Sequence, residues 1–128
     1  MVMHLSMVDY AIQPNQSALG MQLSKAAGYA KGLQLLGKHG LVVAIVGDGS
    51  TAESDMHETM MAANLWNLPL LIIITDNEIA ITVTPRDGRG IKDFSHYAKA
   101  FGLNYFTCDG NDFLDTYQVT TEACRSVL

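Results

Sequence analysis

Two short apolar runs limit what this chain can become. Leu41-Val42-Val43-Ala44-Ile45-Val46 and Leu70-Leu71-Ile72-Ile73-Ile74-Thr75 are nearly free of polar side chains and rich in β-branched residues. Both are far too short to cross a bilayer as helices. An uninterrupted apolar run of this length is the pattern of a strand covered on both faces of a parallel sheet. Between them, residues 55–67 read as a helix with Met56, Met60, Ala63 and Leu65 among its apolar positions, and Pro69 closes the connection. Parallel strands need such a crossover to come side by side.

The flanking sequence extends the alternation. Residues 1–16 carry no sustained period and include Gln13-Pro14-Asn15, so an irregular lead-in is expected. Residues 17–36 place Leu19, Leu23, Ala26, Ala27 and Ala30 at helical spacing, with Ser17 as the N-cap and Gly37 and Gly40 past the end. Residues 76–90 are polar, contain Pro85 and read as an exposed loop. The pattern then predicts a helix over 91–102, a third strand over 103–108, a turn at Asp109-Gly110-Asn111 and a final helix over 112–128. The order α-β-α-β-α-β-α describes an α/β fold, a parallel sheet with helices on both faces, in a single domain over residues 1–128. Three strands are few for such a sheet, so the chain reads as an incomplete domain or one that pairs with another subunit.

Composition narrows the function. Of 128 residues, 48 % are apolar and 16 % charged, which is globular rather than disordered. A net charge of -5 argues against a nucleic-acid partner, whose phosphates need a basic surface. One anionic ligand held by backbone amides and a metal remains compatible with it. Two cysteines, Cys108 and Cys124, have no metal-ligand spacing and read as reduced thiols. The opening residues lack a basic n-region and apolar h-region, so a cytoplasmic protein with no membrane association is expected.

In an open parallel sheet, ligands bind beyond the carboxyl ends of the strands. Gly47-Asp48-Gly49 follows the first apolar run and Asp76-Asn77 the second. If the two strands are neighbours, these groups meet. The glycines can take positive φ and leave room for ligand oxygens. The start of the next helix offers N–H donors and partial positive charge to a phosphate. Asp48 supplies a hard anionic oxygen and Asn77 a neutral amide oxygen, ligands that magnesium prefers and completes with phosphate oxygens and water. Either segment alone is an ordinary turn; the pair, one βαβ step apart, points to a metal–phosphate site.

Gly47-Asp48-Gly49 with Asn77 resembles the thiamine diphosphate motif. The longer run from Gly47 through Ser50-Thr51-Ala52-Glu53-Ser54-Asp55-Met56 to His57 narrows this, as do Ala62-Ala63, Leu68-Pro69 and the stretch from Asp76-Asn77 to Thr82. Together they resemble the alpha subunit of the thiamine diphosphate-dependent 2-oxo acid dehydrogenase decarboxylating component, with the branched-chain and pyruvate types nearest in pattern. The likeness continues through 98–102 and 109–112, and upstream through Gly20-Met21-Gln22-Leu23 and Met3-His4. It implies that Asp48 and Asn77 are side-chain ligands of Mg2+ and that Ile79 adds a backbone carbonyl. It also implies that Gly49 and Ser50 contact the diphosphate through the backbone and that Leu19 lies near the cofactor's rings. Ser17 and Gln22 match positions that hold a potassium ion in some members.

The resemblance further implies decarboxylation of a 2-oxo acid with acyl transfer to a lipoyl group, and a beta subunit or a homo-oligomer as partner. The chain departs from the family pattern at Asp76, where Asn is usual, at Ser54 (Gly) and at Met61 (Asn). Alpha subunits of this family also extend past both ends of this sequence. An arginine on the diphosphate, a loop histidine near the thiazolium and the partner's glutamate therefore lie outside it. The other reading is a truncated, non-catalytic homologue serving as a cofactor-binding or interaction module. His4, His39 and His96 read as incidental or solvated, and His57 as a helix-face residue close to the motif. Glu53, Asp55 and Glu58 read as first-turn acids, and Arg86, Asp87, Arg89 and Lys92 as solvated loop charges.

Overall fold

The computed structural model describes residues 6–14, 16–90 and 92–128; Met3-His4, Asn15 and Ile91 lie outside them. Helix α1 covers Met21–Leu35, strand β1 Val42–Gly47, helix α2 Ser54–Trp66 and strand β2 Leu70–Thr75. A short α3 follows at Pro85–Gly88, then α4 at Ser95–Ala100 and α5 at Phe113–Val127. The two strands pair in parallel, with Val42 opposite Leu70 and Gly47 opposite Thr75. Helix α2 is the crossover between them.

One face of this sheet makes the core. Ala44 and Val46 of β1 are buried, their register partners Ile72 and Ile74 pack beside them, and Leu23, Ala26, Ala27, Ala30, Met56, Met60 and Ala63 close over them from α1 and α2. Small alanines on α1 let that helix approach α2 and the sheet closely. Two hydrogen bonds fix where α1 and α2 meet: Gln34 Nε2 donates to the carbonyls of Trp66 (3.1 Å) and Asn67 (2.7 Å). They satisfy carbonyls that the end of α2 leaves without helical partners. Asn67 itself ends α2 in the left-handed region, φ 47°.

The opposite face is only partly covered. Val43 and Ile45 stay 47 % and 61 % exposed, while their partners Leu71 and Ile73 are half-buried and α5 lies against β2. The two apolar runs thus differ: β2 is covered on both faces, β1 on one. Helix α5 starts at Asp112, whose carboxylate accepts from the N–H groups of Leu114 (2.9 Å) and Asp115 (3.2 Å), an N-cap in the expected place.

Three expectations need correction. Residues 103–108 form no strand, because no neighbouring strand among the described residues hydrogen-bonds with them; Leu103 still packs against the core. Helix α1 begins after Gly20 rather than at Ser17, since residues 17–20 form a bend and turn. The segment 76–90 is not a plain exposed loop: it contains α3, and the side chain of Arg89 is 4 % exposed. Among the described residues no helix is long and apolar enough to cross a membrane. Cys108 is exposed, Cys124 half-buried, and both are free.

Candidate functional site

The parallel register carries both polar segments to one end of the sheet. Asp48 leaves β1 one residue beyond Gly47, and Asp76-Asn77 leave β2 beyond Thr75, its partner in the ladder. Thr75 Oγ1 donates to the carbonyl of Val46 (3.2 Å), which ties the strand ends together. Beyond β1 the chain makes a 3₁₀ turn over Asp48–Ala52 before α2 begins. Thr51 Oγ1 donates to the Asp48 carbonyl at 2.6 Å within that buried turn.

Asp48 is 5 % exposed and its carboxylate meets a cation. Arg89 Nη1 donates to Asp48 Oδ2 at 3.1 Å and to Asp76 Oδ1 at 3.2 Å, while Nη2 donates to Asp76 Oδ2 at 3.0 Å. The guanidinium therefore forks bidentately onto Asp76 and reaches Asp48 with the same nitrogen, geometry that a lysine cannot copy. It also stands 4.5 Å from the Phe94 ring centroid, a cation–π distance. Partial burial disfavours the charged form of Asp76. Arg89 and the Glu78 N–H (3.0 Å from Asp76 Oδ1) outweigh it and hold that carboxyl below its ordinary range.

The segment after β2 is tightly folded. Asn77 Oδ1 accepts from the Ile79 N–H at 3.1 Å, and Ala80 and Val83 exchange two backbone hydrogen bonds of 2.9 Å each. Glu78 and Ile81 take φ of 58° and 60°. The left-handed region is costly for a β-branched residue such as Ile81, and such strain gathers at ligand clamps and switch segments. Asp48, Gly49, Ala80, Val83, Gly88 and Arg89 line a cleft of about 160 Å³, along with Ala52, Thr84 and Pro85.

The glycines act differently from the expectation. Neither Gly47 nor Gly49 takes positive φ. A Cβ on Gly49 would stand 2.7 Å from Ala80 Cβ, so Gly49 is needed for close approach of the two strand-end segments. A Cβ on Gly47 would meet nothing within 4 Å among the described residues.

Asp48, Gly49 and the Asp76-Asn77 pair are thus brought to one sheet end, and Ser50 is buried in the turn beside them. Ile79 is 48 % exposed in the adjoining segment. Leu19, 61 % exposed ahead of α1, is not among the cleft-lining residues. Gln22 donates to the Ile45 carbonyl at 3.5 Å, and its Oε1 is buried with no hydrogen-bond partner. His57 packs edge-on against Phe101 and tilted against Tyr97, which makes it a helix-face residue between α2 and α4. His39 and His96 are exposed. Arg89 is the site residue that sequence reasoning missed. The signal was Asp76, an extra carboxylate beside a ligand position that calls for a cation.

The oxygen chemistry fits a magnesium ion. Asp48 presents a carboxylate to a narrow cleft that a side chain at position 49 would fill, and Asn77, at the same sheet end though not among the cleft-lining residues, has an amide oxygen that accepts from the Ile79 N–H.

Comparison with known proteins shows the family. Residues 1–127 match the family described as "Dehydrogenase E1 component". The chain is 32 % identical over 110 residues to a 3-methyl-2-oxobutanoate dehydrogenase subunit alpha of Mycobacterium tuberculosis, covering 86 % of this chain and 30 % of that protein. It is 30 % identical over 116 residues to a pyruvate dehydrogenase E1 component subunit alpha of Mycoplasma genitalium, covering 91 % and 32 %. A protein of the latter name from Staphylococcus aureus is 33 % identical over 114 residues, covering 88 % and 30 %. The chain spans about a third of the length of these relatives. On the match along nearly its whole length, this chain belongs to the dehydrogenase E1 component family.

Proposed function

We propose that this chain is the part of a 2-oxo acid dehydrogenase alpha subunit that binds magnesium and thiamine diphosphate. The observation that carries the reading is the register Gly47 to Thr75, which sets Asp48 beside Asp76-Asn77, with Asp48 engaging a cation there. In this reading Asp48 and Asn77 are side-chain ligands of Mg2+, and the Ile79 carbonyl is a third protein oxygen. The backbone of Gly49 and Ser50, in the turn leading into α2, donates to the diphosphate, where the amides of a turn or helix start favour an anion. Leu19 contributes apolar contact to the cofactor's rings.

When bound, the cofactor supplies the electron sink for decarboxylation of a 2-oxo acid, and the protein's part is binding, orientation and electrostatics. Asp48 neutralises charge and anchors, and takes no proton-transfer role. The turn at 48–52 and the 78–83 segment narrow the site and limit water. The acyl acceptor is a lipoyl group, and the partner is a beta subunit that completes the site, in the cytoplasm. The substrate on this reading is a 2-oxo acid, as in the names of the relatives, 3-methyl-2-oxobutanoate dehydrogenase and pyruvate dehydrogenase.

The test is thermal unfolding of the chain with and without thiamine diphosphate and Mg2+. Cofactor at about 100 times its dissociation constant adds roughly 2.7 kcal/mol of stability. Asp48→Ala and Asn77→Ala remove that gain. Unchanged melting of the wild-type chain at saturating cofactor and metal overturns the reading.

A further inference from the structure

The cation that Asp48 holds belongs to the protein itself. We propose that Arg89 is a built-in counter-ion to Asp48 and Asp76, so that a divalent cation binds Asp48 only by displacing it. This rests on the reading of Asp48 as a metal ligand.

Four observations converge on it. Arg89 Nη1 lies 3.1 Å from Asp48 Oδ2, on the carboxylate read as the metal ligand. A dication and a guanidinium on one carboxylate repel, and burial strengthens that repulsion because little water screens it. Next, the seat is built rather than incidental. The Arg89 side chain is 4 % exposed although the residues on either side of it are exposed, and Phe94 stacks beneath the guanidinium at 4.5 Å. Gly88 lets the backbone fold in, since a Cβ there would stand 2.6 Å from Val83 Cγ1. Third, Asp76 grips the fork with both oxygens, at 3.2 and 3.0 Å. This is the position where the sequence carries an acid in place of the family's usual Asn. If Asp48 is surrendered to a metal, Asp76 keeps Arg89 within the cleft, so the guanidinium pivots and does not leave. Fourth, the cleft is about 160 Å³, while pockets for small ligands run upward from about 300 Å³. Gly88 and Arg89 line it, so the movement that frees Asp48 also enlarges the space.

The device couples metal entry to the segment 84–90. A ligand whose competent state is a minority binds with its affinity reduced by that fraction. If about a tenth of molecules have Asp48 free of Arg89, removing the guanidinium tightens the metal about tenfold.

The experiment titrates the full chain with Mg2+ alone, by calorimetry and thermal shift, and follows backbone hydrogen exchange over 84–90. In the wild type, Mg2+ is expected to speed exchange in that segment. Arg89→Gln is expected to bind Mg2+ about tenfold more tightly, with exchange over 84–90 already fast and insensitive to metal. Arg89→Lys keeps the charge but loses the fork, and falls between the two; it serves as the readout if the glutamine variant does not fold. A wild type that binds Mg2+ with thiamine diphosphate, while neither variant gains affinity for Mg2+ and metal leaves 84–90 unchanged, overturns the counter-ion proposal and spares the cofactor reading. Failure of all three proteins to bind Mg2+, with or without thiamine diphosphate, overturns both. Binding by Arg89→Gln where the wild type binds none supports both.

Discussion

Gly49→Ala adds a single methyl group to the strand-end turn, and the structure says where that methyl goes. It would stand 2.7 Å from Ala80 Cβ and 3.7 Å from Ala80 Cα. Carbon atoms in contact rest at about 3.5–4.0 Å, so one side has to yield by roughly 1 Å. Ala80 has no rotamer to change. Two backbone hydrogen bonds with Val83 hold it, and its near neighbours Glu78 and Ile81 are already in the left-handed region. The strain therefore falls on the 78–83 backbone. Forced overpacking of this kind costs about 1–3 kcal/mol. With a loss of about 2 kcal/mol, the melting temperature of a chain this size drops by roughly 6–10 °C. Ala80→Gly removes the opposing methyl and should cost at most about 1 kcal/mol alone, through backbone entropy. Combined with Gly49→Ala it should restore most of the loss, a coupling of about 1–2 kcal/mol in a double-mutant cycle read by thermal or urea unfolding. A Gly49→Ala melting temperature within about 1 °C of wild type would refute the contact. So would a double variant no more stable than Gly49→Ala.

Two further outcomes follow from the packing and the charges. Leu23 is fully buried between α1, α2 and the sheet, so Leu23→Ala should lower stability by about 2–5 kcal/mol in urea unfolding; a loss under about 1 kcal/mol would mean the site collapses freely. Asp93 accepts from the Ser95 N–H at 2.8 Å at the start of α4, and bonds from the Ser95 hydroxyl and N–H, aided by His96, hold its carboxyl below the ordinary aspartate range. Because the folded pKa is the lower one, this stabilisation is full above the unfolded value and disappears as pH falls through the folded value. The Ser95 amide resonance should therefore titrate below the ordinary aspartate range, and a midpoint within or above that range would contradict the assignment.

The strands were legible because β-branched runs bounded by Gly47 and Asp76 leave few alternatives, and both lie within a residue of where the pattern put them. Their pairing was legible only conditionally, since adjacency in a sheet is a tertiary fact. The ladder Gly47 to Thr75 supplies it. Residues 103–108 look like a third strand because Leu103, Tyr105 and Phe106 suit a pleated surface, yet a strand exists only with a partner to hydrogen-bond. The uncovered half of β1 was illegible for a related reason: Val43 and Ile45 carry the same residue types as Leu71 and Ile73, and nothing local tells which pair α5 approaches. At the site, Asp48 and Asn77 could be picked out by their positions after apolar runs. Arg89 could not, because an arginine between two glycines in a polar stretch reads as solvated until the fold turns it inward against Asp48 and Asp76.

Gly47 and Gly49 look equivalent on the page but answer to different masters. A methyl at Gly49 collides with the protein; one at Gly47, with φ -78°, meets nothing among the described residues. A saturation library sorted for folded protein would thus register selection at Gly49 and let Gly47 drift. On the proposed reading, the same library sorted for binding of thiamine diphosphate and Mg2+ would penalise both. If it does, the difference between the two maps, position by position, would trace the outline of the proposed cofactor in the language of tolerated substitutions, with Gly47 as its first point.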